Sequence, residues 1–268
     1  MNKANSGRIR SWDYLCEINP DIALLQEVNS VPEFIVDKFD ILYRKAITKA
    51  GKPQKFGTAI FVKGKIVELV PLLSEWDWVN KLLERFSGNL VAAKLILDNG
   101  FAAHAISVHS PAWDIDSRWF NGTDISELAG LDISALKLEN SPKLWATELL
   151  WATLRHLFPM STVPWIVGGD LNSSVTFDFM WPGGPHGNQE VQDRMIELNF
   201  TECLLHSQGQ LTPTFMNAND KKVIHQIDHL FVPTKMLSEL VSCNVGDSDQ
   251  VFGGVLSDHL PIIADFSV

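Results

Sequence analysis

The chain is short of several things that would place it at once. Its three cysteines, Cys16, Cys203 and Cys243, are odd in number and far apart. They make neither a disulfide framework nor a Cys-x-x-Cys zinc pattern. No apolar run approaches the ~20 residues of a membrane span. The opening MNKANSGRIRSWDYL lacks the apolar stretch of a signal peptide. These absences point to a reducing, cytoplasmic setting. Basic residues are also scarce: 22 Lys and Arg stand against 32 Asp and Glu, for a formal net charge of −10. That balance argues against binding nucleic acid through the net field, which needs clustered Lys and Arg. It leaves room for a local basic rim, or for a metal that neutralises phosphate inside a cleft. Tyrosine is rare as well, with 2 against 9 tryptophans.

What remains is an ordinary globular composition, 46% hydrophobic and 20% charged over 268 residues, with ample core for one large domain or two small ones. No repeat, low-complexity tract or long linker divides it, so residues 1–268 read as a single domain. Ile9, Trp12, Leu15 and Cys16 recur at helical spacing, predicting a helix over about 6–18 that Asn19-Pro20-Asp21 stops. IALLQEV (22–28) reads as a strand. TAIFVKGKIVELV (58–70) reads as two strands joined at Lys63-Gly64, and NLVAAKLILDNGFAAHAISVH (89–109) as two joined at Asp98-Asn99-Gly100. Residues 110–142 read as irregular, about 143–158 and 190–198 as helices, and 164–170 as a buried strand. LTPTFM, HQIDHLFV and LPIIADFSV supply later strands. Hairpin-linked strands with a few helices predict an α/β fold of two packed sheets with outer helices.

Five polar clusters end or interrupt apolar runs: Gln26-Glu27, His109-Ser110, Gly169-Asp170-Leu171-Asn172, Ile227-Asp228-His229 and Ser257-Asp258-His259. Charge at such positions is costly unless it is paired or bound to metal. Alone, each cluster is as readily a turn or a structural hydrogen bond. Together they hold carboxylates for a hard cation, histidines for proton transfer, and an amide beside a carboxylate. The ordered set QE, VHS, GDLN, IDH and SDHLP resembles the endonuclease/exonuclease/phosphatase superfamily, also called deoxyribonuclease I-like, from about Asp21 to Phe266.

The resemblance implies a four-layer sandwich of two mixed β-sheets flanked by helices. It also implies Mg²⁺- or Mn²⁺-dependent hydrolysis of phosphoesters. It makes Glu27 the principal metal ligand and Asp258 a second. Asp170 would orient or deprotonate the attacking water, and Asn172 would hydrogen-bond the phosphate or that water. His259 and Asp228 would form the His-Asp pair. His109 would contact the phosphate or protonate the leaving group; its expected glutamate partner has no match in the sequence. HxxDH at 225–229 also invites a zinc reading, but strand alternation turns His229 away from Asp228. His104, His156, His186 and His206 have no evident partner.

Family members usually begin with a strand ending in a Trp-Asn-x-Asn-like motif whose first asparagine helps bind the metal. Here Met1-Asn2 matches the tail of that motif, so the first strand is expected to be missing and Asn2 to lie near the metal. The expectation is a reading frame that starts upstream. Trp113, Trp119 and Phe120 follow His109, and Trp181 lies in the loop WPGGPHG. These rings are placed to stack on bases, to face a lipid or a partner, or simply to pack the loop; Arg44 and Arg118 are possible phosphate contacts. The first function read from the resemblance is a nuclease acting on DNA or RNA. The alternatives are a phosphoesterase on a small molecule or lipid headgroup, and a catalytically weak binding module.

Overall fold

The computed structural model describes residues 5–116, 119, 134, 136–141 and 143–268, with side chains from residue 10 onward. The helices, in chain order, are α1 (Asn5–Ile18), α2 (Glu33–Val36), α3 (Asp77–Arg85), α4 (Ala146–Leu157), α5 (Val175–Met180), α6 (Asn188–Glu197) and α7 (Cys203–Gln208). The first strands are β1 (Ile22–Val28), β2 (Asp40–Ile47), β3 (Pro53–Val62), β4 (Gly64–Leu69), β5 (Leu90–Leu97), β6 (Ala102–His109) and β7 (Trp165–Asp170). They are followed by β8 (Phe200–Glu202), β9 (Phe215–Met216), β10 (Val223–His225), β11 (Asp228–Pro233), β12 (Leu240–Val245) and β13 (Ile262–Phe266). Helix α1 ends where the sequence says it should. Asn19 takes a left-handed φ of 54° and its N–H reaches Leu15 O at 2.9 Å, and Pro20 cannot continue the helix.

Six strands form one sheet in the order β4-β5-β6-β7-β11-β8. It is mixed, because β6 and β7 run parallel while the remaining pairs are antiparallel. A parallel pair needs a long crossover, and the chain between β6 and β7 supplies one through α4. Leu149, Leu150 and Leu154 of α4 bury against Trp165, Val167 and Phe231 of the sheet, beside Val79 and Leu82 of α3 and Met195 of α6.

The opposite face of this sheet meets β3, whose Ile60 and Val62 pack on Val91, Ala93 and Ala105. β3 is the centre of a three-stranded antiparallel sheet, β1-β3-β2, and GTAIFV at its end is buried throughout, as a central strand covered on both faces must be. Helix α1 closes the outer side, with Trp12 stacked on Phe61 at 5.7 Å and Leu15 in the same cluster. The layers therefore run helix, sheet, sheet, helix, as the resemblance implies.

The outer sheet layer is in two pieces. Among the described residues β12 and β13 pair only with each other, and they pack with α7 around Cys203, Cys243 and Met236. Phe101 and Ile166 of the six-stranded sheet touch both this cluster and the one beneath β3, so the two pieces lie on the same face. A cavity of about 500 Å³ runs along both β1 and β13. Asn2, Arg118 and Phe120 lie outside the described residues, as does most of 110–142.

Candidate active site

Sheet register sets the centre of the site. β6 and β7 in parallel place His109 opposite Asp170, and the antiparallel pairing of β7 with β11 places Asp228 opposite Asp170. Three residues distant in sequence thus form one row across three strands. All are nearly buried, at 8%, 7% and 8% exposure for His109, Asp170 and Asp228. The close approach depends on Gly169, whose φ is 136° and where a Cβ would stand 2.1 Å from Val108 O. Gln26 uses the space, its Nε2 donating to Ser107 Oγ at 3.0 Å and to Leu24 O at 3.1 Å. That ties the end of β1 to β6 and brings Glu27 to the row.

Asp228 accepts hydrogen bonds from His259 Nδ1 at 2.9 and 3.1 Å. His259 is delivered by a pinned turn: its N–H donates to Ser257 Oγ at 3.0 Å, Met216 N–H to Asp258 O at 2.8 Å, and Leu260 N–H to Thr214 O at 2.7 Å. The Thr214 hydroxyl also receives the Asp228 N–H at 3.2 Å, so one threonine fixes both partners. Burial alone would lower the His259 pKa. The charge and hydrogen bond of Asp228, with Asp170 and Asp258 behind it, instead push it up to about 10.

Asp170 is held from the other side. The Asn172 N–H donates to its Oδ1 at 2.8 Å, and Asn172 Nδ2 to its Oδ2 at 3.0 Å and to Ser110 O at 2.6 Å. Asn172 lies beyond β7 with a left-handed φ of 49°, and a turn rather than an extended segment brings it back. Burial, and then the Asp228 charge, raise the Asp170 pKa.

His109 gains the carboxylate neighbour that the sequence did not reveal. Glu27 Oε1 lies 3.9 Å from His109 Nε2, an ion-pair contact longer than a hydrogen bond. Glu27 has a φ of 53°, and this kink at the end of β1 aims the side chain where a regular strand would not. Burial keeps the His109 pKa below the usual range, with Glu27 pulling the other way.

Zinc at 225–229 is not supported. His229 is buried against Ser173 O at 3.0 Å and Gln226 Nε2 at 3.3 Å, while His225 Nδ1 pairs with Thr176 Oγ1 at 2.7 Å. A hard cation has better donors. Ligand atoms of Asp170, Asp228 and His259 lie within 4.8 Å of one another. Glu27 and the exposed Asp258 line the same cavity. Among the described residues only histidines come within ion-pair distance of these carboxylates. Four carboxylates with no Lys or Arg of the described residues at ion-pair distance are an oxygen-rich set that suits a divalent ion. Asp228 and His259 are already committed to each other, which leaves Glu27 and Asp258 as the freer donors.

The tryptophans divide. Trp119 is buried, its ring 4.4 Å from Phe86. Trp113 and Trp181 stay about half exposed, at 48% and 53%. Trp181 stacks on Phe177 at 4.3 Å, Phe177 touches His225 at 4.5 Å, and Phe215, the strand neighbour of His225, lies 4.9 Å from the His259 ring. An aromatic ledge therefore leads from His259 to Trp181. Arg44 is exposed on β2.

Residues 8–259 match the endonuclease/exonuclease/phosphatase family along nearly the whole chain. The chain belongs to that family. Solved structures with the same fold include an AP endonuclease from Archaeoglobus fulgidus, at TM-score 0.65 and 18% identity over 98% of this chain and 96% of that one. A 3′ phosphatase, NExo, from Neisseria, bound to a product DNA hairpin, matches at TM-score 0.67 and 18% identity over 100% and 96%. A family protein from Leptotrichia buccalis matches at TM-score 0.63 and 12% identity over 100% and 96%. No curated protein matches. Membership supports phosphoester hydrolysis as the chemistry of this family site. No helix among the described residues is long and apolar enough to cross a membrane.

Thr214, Phe215 and Ser107 are site-building residues that the motifs did not single out. A threonine and a phenylalanine in LTPTFM look like any short strand, and no signal in the sequence sets them apart.

Proposed function

We propose that this chain is a divalent-metal-dependent nuclease that hydrolyses phosphodiester bonds in DNA or RNA, working as one domain over 1–268. The row of His109, Asp170 and Asp228, closed by the His259–Asp228 pair, carries the reading. Asp170 takes the proton of the attacking water, and its raised pKa makes it a stronger base than an ordinary carboxylate. Asn172, held by Asp170 and Ser110, leaves the carboxylate fixed in direction while water oxygen attacks phosphorus. His259 stays cationic across neutral pH and stabilises charge on the phosphoryl oxygens. His109 contacts the phosphate or hands a proton to the leaving oxygen as its bond to phosphorus breaks, with Glu27 drawing the imidazole toward its protonated form against the effect of burial. Glu27 and Asp258 would hold Mg²⁺ or Mn²⁺, with Asn2 a third donor in the family pattern. When bound, the ion supplies positive charge to the phosphate.

The aromatic ledge ending at Trp181 supports a substrate whose bases can unstack. A second reading, hydrolysis of a lipid headgroup phosphoester, draws on the exposed Phe179, Met180 and Trp181 in the same segment, because an apolar rim also suits a bilayer. The free, buried thiols of Cys203 and Cys243 support a reducing cytoplasm.

The deciding experiment incubates the protein with plasmid, single-stranded DNA, RNA, phospholipid vesicles and an aryl phosphodiester, with and without Mg²⁺ or Mn²⁺. Asp170→Ala and His259→Ala run beside it. Metal-dependent cleavage of nucleic acid that both variants lose is expected. Turnover confined to vesicles selects the second reading, and no metal-dependent turnover on any substrate overturns both.

A further inference from the structure

Asn172 faces Asp170 from a left-handed turn. Such a turn at a residue other than glycine persists where its surroundings fix it. Two tethers meet at the next residue, Ser173, which is buried. Its carbonyl accepts from His229 Nε2 at 3.0 Å, and its hydroxyl donates to Asn188 Oδ1 at 2.9 Å. Ser174, also buried, donates its N–H to the same Asn188 oxygen at 3.2 Å. Asn188 is the first residue of α6 and lies well along the chain from this loop.

One carboxylate aims Asn188. Asp178 Oδ1 accepts from Asn188 Nδ2 at 2.8 Å, from the Asn188 N–H at 3.2 Å and from the His186 N–H at 2.7 Å. Its Oδ2 accepts from the Gln189 N–H at 2.8 Å. Gly187, just ahead of α6, has no side chain to cap that helix, so Asp178 caps it from outside. Burial would raise the Asp178 pKa, but the bonds from Asn188, Gln189 and His186 hold it below the usual range, and the anion is fixed in place. The same bonds close the loop WPGGPHG that carries Trp181. A helix cap needs only the backbone donors. The Asn188 side chain does more: its amide nitrogen meets Asp178 and its amide oxygen meets the loop after Asn172.

We propose that Asp178 and Asn188 are positioning residues of the hydrolytic centre. Asp178 fixes Asn188, and Asn188 fixes Ser173 and Ser174, which hold Asn172 and through it the Asp170 carboxylate in working geometry. The inference rests on the hydrolytic reading of the Asp170 site given above.

The test compares the full chain with Asn188→Ala, Ser173→Ala and the double variant. Asp178 keeps its backbone donors in all of them, so α6 stays capped. Turnover of an aryl phosphodiester is one readout, and amide hydrogen exchange in metal-free buffer, independent of hydrolysis, is the other. Asn188→Ala is expected to lower kcat by about tenfold or more with KM unchanged, because a base that wanders from its attack geometry is slow. Exchange at 171–174 should quicken by about tenfold, the effect of one lost buried hydrogen bond. Ser173→Ala should move both readouts in the same direction, and it keeps the test open if Asn188→Ala fails to fold. The double variant should do no worse than Asn188→Ala, as for two groups acting through one bond. Additive losses overturn the proposal. So does a lower urea midpoint with kcat and exchange at 171–174 unchanged, which leaves Asp178 and Asn188 a helix cap alone. A parent chain that turns over no substrate counts against the hydrolytic reading instead, and exchange at 171–174 still decides whether Asn188 holds the loop.

Discussion

Asp170 and Asp228 stand directly opposite each other on β7 and β11, two carboxylates side by side in a nearly buried row. Like charges facing across a ladder destabilise a sheet, and burial adds to the cost. Asp170 meets this cost through a raised pKa, so it opposes folding increasingly as pH rises above the ordinary carboxylate range. Asp170→Asn is therefore expected to melt higher than the parent at neutral pH in metal-free buffer, by on the order of 1–3 kcal/mol of stability. Its hydrolysis should fall by about a hundredfold or more. Calorimetry and turnover on the same preparations check both directions. A variant that loses stability would show that the carboxylate holds the fold rather than serving chemistry.

The His259–Asp228 pair makes a prediction of the same sign in a higher pH window. The folded-state pKa of His259 is about 10, above its ordinary value of 6.5. The pair's stabilisation is thus fully present below 6.5 and is lost as pH climbs through about 10. In Asp228→Asn the imidazole should titrate at least a unit or two lower, and the alkaline decline in stability should begin correspondingly earlier. An NMR titration of the His259 ring, with urea unfolding from pH 6 to 11, measures both. An unchanged titration would mean that Asp228 does not hold the charge.

Away from the site, Glu148 of α4 is buried with its Oε2 accepting from Thr147 Oγ1 at 2.7 Å and its Oε1 unpartnered. Burial pushes its pKa up to about 8 from 4.5. Between those values the unfolded chain ionises and the folded one does not, so stability falls as pH rises. Glu148→Gln should remove that decline and gain on the order of a few kcal/mol at pH 8 relative to pH 5. Urea midpoints of variant and parent at the two pH values decide it; parallel shifts would exclude Glu148 as the source.

Trp181 is half-exposed yet stacked on Phe177, so its removal should leave the fold intact. If bases stack on this ledge, Trp181→Ala should raise KM for single-stranded DNA by about tenfold. Turnover of an aryl phosphodiester should stay the same. Equal losses on both substrates would place the ring in the packing rather than in binding.

The sequence disclosed most of what is apolar and periodic. The strands at 22–28, 58–70, 89–109 and 164–170 appear close to where their patterns end, because each is a run of mostly apolar residues bounded by turn residues. β2 (DILYRKAI) and β12 (LVSCNV) were not legible, since edge strands carry mixed polar residues and depend on their partners for order. All five polar clusters reach the site or its wall. Their relative placement was hidden, because it lies in register: nothing local in VHS, GDLN or IDH announces that 109, 170 and 228 share a row. The Glu27–His109 contact was equally hidden, depending on a left-handed residue that is neither Gly nor Asn.

That row has a consequence for how the molecule matures. Successive side chains of a strand point to opposite faces, so a slip of one position between β6 and β7, or between β7 and β11, would turn every member to the wrong side. No partially aligned sheet can hold a partially working centre. Appearance of turnover during refolding would thus be a reporter of correct alignment across three strands, and should lag any signal of collapse or of helix formation.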